Sequence, residues 1–156
     1  MMRWMLPLAA LALAAFAQKY EGPRPEKPDL PYLKHAESLL ALETVQATEQ
    51  KGKKEEITYI MAGAASNVRT PLASPQFLFQ SAKVSPDSLE LYRLESRNGR
   101  RELVVSPRRP PKLFRTEVTR LTSDNLYRIE VDESLTAGEY SFSPKGANVA
   151  FCFQVF

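Results

Sequence analysis

The stretch FRTEVTRLTSDNLYRIEV, residues 114–131, decides the fold. Phe114, Thr116 and Val118 alternate with Arg115, Glu117 and Thr119, and Tyr127, Ile129 and Val131 alternate with Arg128, Glu130 and Asp132. A period of two sends successive side chains to opposite faces of an extended chain, so each run reads as a strand with one apolar and one wet face. The same alternation returns downstream, where Tyr140 and Phe142 stand against Ser141 and Ser143. In the last run, Val149, Phe151, Phe153 and Val155 share one face, and only Gln154 is strongly polar on the other. A strand with little polarity on either face is expected to be central or well covered.

Upstream, Arg97-Asn98-Gly99-Arg100 separates two further apolar runs, Leu89 to Glu95 and Arg101 to Val105. Asn-Gly tolerates the positive φ angles of a two-residue hairpin turn, so a tight hairpin is predicted here. Pro71 and Pro75 bracket a loop before Phe77 to Gln80, Pro86 and Asp87 mark a turn, and Pro107, Pro110 and Pro111 make a break. The polar Lys51-Gly52-Lys53-Lys54 stretch before Ile57, Tyr59 and Met61 suggests another hairpin. Residues 32–50 fit two patterns: Leu33, Ala36, Leu40 and Glu43 can share a helix face, and Leu40, Leu42 and Thr44 a strand face. A helical turn near 33–38 followed by two strands is the expectation. Prolines 23, 25, 28 and 31 interleave with charged residues, which predicts an extended polyproline-like arm over 18–31, acting as a spacer or a docking ligand. About seven or eight short strands over residues 32–156 point to one all-β domain, an antiparallel β-sandwich, with a small barrel as the alternative.

The start of the chain reads as a signal peptide over residues 1–17. Arg3 precedes an apolar run from Trp4 to Ala14, and Ala15-Phe16-Ala17 supplies the small-x-small end before Gln18. The uncharged stretch is shorter than the roughly 20 residues a spanning helix needs, so cleavage rather than a membrane span is expected. Export to the periplasm or the medium follows as the expected localisation. Cys152 is the only cysteine, so no internal disulfide can form, and no acylated cysteine follows the signal. Asn67, Asn98, Asn125 and Asn148 are not glycosylation acceptors. The net charge of +3 falls to +2 without Arg3, too small to argue for nucleic acid. Counting back by twos from Phe156 meets Gln154, Cys152, Ala150 and Asn148, which gives no lipid-facing row of an outer-membrane barrel.

Leu135-Thr136-Ala137-Gly138-Glu139-Tyr140, followed by the closing strand from Phe151 to Val155, resembles the final hairpin of bacterial immunoglobulin-like domains. The resemblance covers about the last quarter of the chain and implies an immunoglobulin-like topology, not an activity. The whole chain is similar to exported bacterial proteins of unassigned function, a likeness that brings no mechanism. Periplasmic copper-resistance proteins share this kind of ending, but they use several histidines and methionines. Here only His35 and Met61 remain after the signal, so no metal and no cofactor is expected.

No catalytic constellation is legible, and the chain is read as a non-enzyme. His35, beside Lys34 and Glu37, has the setting of a surface histidine. Cys152, inside an aromatic-rich strand, is expected to be a buried, inert thiol, with an intermolecular disulfide as the alternative. The carboxylates show no pairing beyond wet strand faces, and the six glycines are scattered singly, which excludes a phosphate-cradling loop. Charge is more informative. Residues 97–120 hold eight cations against Glu102 and Glu117, a net +6, whereas residues 121–156 hold two against five acids, a net −3. This polarity nominates Arg100, Arg101, Arg108, Arg109 and Lys112 as a docking patch for an envelope protein or an anionic polymer. Basic residues that merely keep edge strands apart are the other reading. A carbohydrate-binding module is the functional alternative, with Tyr32, Tyr59 and Tyr92 as stacking platforms because Trp4 leaves with the signal.

Overall fold

In the computed structural model residues 19–156 are described, and the predicted signal segment lies outside them. The period-two stretches form strands throughout: β1 (Tyr32–His35), β2 (Ser38–Ala41), β3 (Glu43–Gln46), β4 (Thr48–Lys51), β5 (Ile57–Ala62), β6 (Arg69–Thr70) and β7 (Gln76–Gln80). A single 3-10 turn, Pro86–Ser88, then leads into β8 (Leu89–Arg97), β9 (Arg100–Val105), β10 (Thr116–Arg120), β11 (Leu126–Val131), β12 (Gly138–Pro144) and β13 (Val149–Val155). They make two sheets, one in the order β10-β11-β7-β1-β2 and the other β3-β13-β12-β8-β9-β5-β4, with β6 added beside β13. Every pairing is antiparallel except the short β6–β13 contact.

The architecture is all-β, with two antiparallel sheets packed face to face. Leu33, Phe77, Phe79, Ile129 and Val131 come from the smaller sheet, and Leu91, Tyr140, Phe142, Phe151 and Phe153 meet them from the larger. Phe77 sits at the centre, its ring 4.9 Å from Phe142 edge-on and 5.0 Å from Phe153. As its composition predicts, β13 is a covered strand, flanked by β12 and β3. The Asn98-Gly99 turn also forms as expected, with φ of 54° and 74°, and joins β8 to β9.

Residues 33–38 do not form the expected helical turn. Tyr32 to His35 pair with both β2 and β7, so their backbone groups are satisfied by a ladder, and Ala36 takes a φ of 53° to reverse the chain. At the buried Leu42 the chain leaves the smaller sheet and enters the larger as β3. The strand number exceeds the expected seven or eight because residues 32–62 break into five short strands rather than two longer ones.

The proline-rich stretch is docked on the domain. The Asp29 carboxylate accepts hydrogen bonds from the backbone N–H groups of Ala82, Lys83 and Val84 at 2.9–3.1 Å, and the Asp29 N–H donates to Gln80. Burial pushes this carboxyl upward, but the three donors together hold it below its ordinary value. Arg24 pairs with Asp124, and Leu30 packs on the core.

The larger sheet also has a second, smaller core on its other face, built from Met61, Leu94, Ala150 and Cys152 with Val45, Tyr59 and Leu103 against them. Five strand spacings separate β3 from β5 along the sheet, about 24 Å if it were flat. Yet β3 and β5 touch. The sheet therefore curls on itself like an incomplete barrel, and its outward face becomes an interior.

Candidate functional site

Inside the curl the cross-strand registers set Glu43, Cys152, Ser141 and Tyr92 in one row across β3, β13, β12 and β8. Along β5 and β9, Met61 stands opposite Arg101 and Tyr59 opposite Leu103. Arg101 closes the floor. Its side chain is 0% exposed, and it donates to both Glu43 oxygens at 2.7 and 3.1 Å, to the Ala62 carbonyl at 2.6 Å and to the Gly63 carbonyl at 2.9 Å. Glu139 lies 4.0 Å from the same guanidinium and accepts the Ser66 N–H at 2.6 Å. One arginine of β9 thus ties β3 to the end of β5, two elements that share no backbone ladder. This is a bidentate carboxylate fork with two further N–H groups satisfied by carbonyls.

Above that floor the curl opens into a pocket of about 260 Å³. Its walls carry Tyr59, Met61, Tyr92 and Leu103, and its polar groups come from Glu90, Ser141 and Ser143. The exposed turn between β12 and β13, residues 145–148, forms the mouth together with Glu49. A 2.7 Å bond from the Ala47 N–H to the Asn148 carbonyl holds this turn against the corner between β3 and β4. Tyr92 donates its phenolic proton to Glu90 Oε2 at 2.5 Å. Burial, reinforced by that hydrogen bond and the charge on Glu90, pushes the phenol well above its usual range, so Tyr92 stays a donor at every physiological pH. Among the described residues Glu90 has no cation partner.

The five nominated basic residues do not form one surface. Arg101 is enclosed, which removes it from any docking patch. Arg100 is paired with Glu102 at 2.8 Å, and Lys112 with Glu133 at 2.7 Å while it also lies over the Phe114 ring. Arg108 and Arg109 are exposed on the loop beyond β9, and the rise of that strand, about 17 Å, separates them from Arg100. The tyrosines fare differently. Tyr59 and Tyr92 face the same pocket, whereas Tyr32 is buried on the smaller sheet, where its hydroxyl accepts the Lys27 N–H. His35 is exposed at the end of β1.

Cys152 is fully buried, and burial pushes its thiol up to about 12, with the Arg101 charge offsetting only part of the rise. It is the buried thiol expected from its strand, with no exposed surface on the sulfur. No group of three or more His, Cys, Asp or Glu side chains stands at metal-binding spacing among the described residues. Nor is any described helix long and apolar enough to cross a membrane.

Sequence reasoning missed the curl, although one signal was present. The face of β13 opposite Phe151 and Phe153 offers Ala150 and Cys152, and the matching face of β12 offers Ser141 and Ser143. Small, uncharged side chains on a nominally wet face leave room for a second interior. Comparison with protein-family models, with curated proteins and with solved structures found no match to this chain.

Proposed function

We propose that this chain is an exported, non-catalytic binding module of the cell envelope with an immunoglobulin-like sandwich at its centre, and that its site is the pocket of the curled sheet. The immunoglobulin-like reading is supported by strand order. The β10-β11-β7-β1 run matches the D-E-B-A order of that fold, and β13-β12-β8-β9 matches G-F-C-C′. Tyr140, near the start of the penultimate strand, donates its hydroxyl to the Thr136 carbonyl at 2.7 Å, as in the tyrosine corner of such domains. On this reading β2 to β6 are an insertion, in which β2 extends the smaller sheet and β3 to β5 extend and curl the larger.

The observation that carries the function is the convergence of Tyr59 and Tyr92 on a single pocket with the Ser141 and Ser143 hydroxyls. Aromatic rings beside hydroxyls suit a ligand with one apolar and several polar faces, which is the chemistry of a sugar ring. The volume is below the roughly 300–1,000 Å³ that accommodates drug-sized ligands, and suits a monosaccharide. The rival docking of a polyanion on the basic stretch keeps only Arg108 and Arg109.

Isothermal titration of the secreted chain with a panel of monosaccharides and amino sugars tests the proposal. Binding that Tyr92→Ala abolishes and the double change Arg108→Ser with Arg109→Ser leaves intact is the expected result. Binding lost in the arginine variant and retained in Tyr92→Ala would place the site on the loop beyond β9 instead.

A further inference from the structure

Within the pocket, charge is distributed in one sense. Glu49 and Glu90 line it, and Lys145 at the rim is the only cation among the described lining residues. Lys145 and Glu90 both also border the neighbouring groove beside Phe114. Beneath the pocket, Glu43 and Glu139 outnumber Arg101, whose donors are already engaged by Glu43 and by two backbone carbonyls. At both levels two carboxylates face one cation.

Glu90 is the informative residue. It is half-buried, one oxygen accepts the Tyr92 proton, and among the described residues no hydrogen bond or ion pair engages the other. A bound cation would supply the counter-ion that this carboxylate lacks among the described residues. Tyr59 and Tyr92 line the same pocket, and the π-faces of aromatic rings attract an ammonium while they repel an anion. Ser141 and Ser143 add neutral oxygens, which an ammonium with three protons to donate can also use.

We infer that the pocket selects a ligand bearing a protonated primary amine, its ammonium set against Glu90 and between the aromatic walls. The inference rests on the proposed pocket being the binding site and goes beyond it in naming the charged group that is read. An amino sugar and a simple alkylamine share this chemistry, and the experiment separates them. The full secreted chain is titrated at mildly acidic pH with glucosamine, glucose, N-acetylglucosamine and n-butylamine. Glucosamine is expected to bind about tenfold more tightly than the two neutral sugars, an ordinary margin for a desolvated cation against aromatic and carboxylate partners. Butylamine binding as tightly as glucosamine supports the inference with an alkylamine as the source, and its failure beside a positive glucosamine result supports it with an amino sugar. Glu90→Gln keeps an oxygen to accept the Tyr92 hydroxyl, so it preserves the shape, and it is expected to erase the preference for amines. Glucose binding as tightly as glucosamine, or an amine preference that survives Glu90→Gln, overturns the inference and leaves the pocket reading standing. Absence of heat with all four ligands overturns both.

Discussion

Replacing Arg101 by methionine removes the guanidinium but keeps an unbranched side chain of similar reach. Four hydrogen bonds at 2.6–3.1 Å disappear, two of them to Glu43 and two to the carbonyls of Ala62 and Gly63. Glu43 and Glu139 are then left on one buried floor with no cation between them. Deleting one member of a buried pair costs about 3–5 kcal/mol, because the survivor stays desolvated and unpaired. Glu43 retains 26% exposure and can recruit water, which places this case near the lower limit, about 3 kcal/mol. With an unfolding entropy of about 2.1 cal/mol/K per residue over about 140 residues, that loss lowers Tm by about 10 °C. Thermal unfolding followed by circular dichroism measures it. Combining Arg101→Met with Glu43→Leu is expected to recover part of the loss, the share that comes from leaving Glu43 desolvated and unpaired, while Glu139 and the two carbonyls stay without their partner. A single variant that loses less than about 1 kcal/mol, the value of an exposed ion pair, would refute the assignment of Arg101 as the tie that closes the curl.

Further outcomes follow from other parts of the molecule. Phe77→Ala, at a fully buried position touching both Phe142 and Phe153, is expected to lower stability by about 3–5 kcal/mol in urea unfolding, and a cost under about 1 kcal/mol would contradict its central place. Asp29→Asn weakens three charge-assisted bonds to the 82–84 backbone and is expected to cost about 1 kcal/mol at neutral pH. Because the folded carboxyl is held below 3.8, this contribution is fully present above that pH and fades as pH falls through the folded value. An Asp29→Asn penalty that grows on acidification would contradict the sign. Cys152 is expected to resist an aromatic disulfide reagent in the native protein and to react fully in denaturant, whereas rapid native labelling would show that the second core is open.

Much of the fold was legible because its strands are half-buried. From Phe77 onward every main strand but β9 gives a face to the main core, so alternation survives in the residues, as in Tyr127, Ile129 and Val131. The Asn98-Gly99 hairpin was legible for a local reason, since few dipeptides accept two positive φ angles. Residues 32–50 were not, because β1 to β4 are four-residue strands, too short for a period of two to differ from a helical one. The reversal at Ala36 also lacks any glycine, asparagine or proline signal. Charge counting along the chain nominated Arg101 for a surface because a sequence carries no sign of which arginine meets a buried glutamate 58 residues away. Tyr59 and Tyr92 were nominated on residue type, but only the curl of the sheet brings them to one pocket, and that curl depends on the β3–β13 pairing between residues more than a hundred positions apart.

Amide chemical-shift mapping during titration with glucosamine tests most directly that the interior of the curled sheet is the binding site. A site inside the curl predicts shifts confined to Tyr59, Tyr92, Ser141 and the 145–148 turn, with Arg108 and Arg109 unmoved. Shifts centred on the 106–113 loop, with those pocket residues silent, would contradict it.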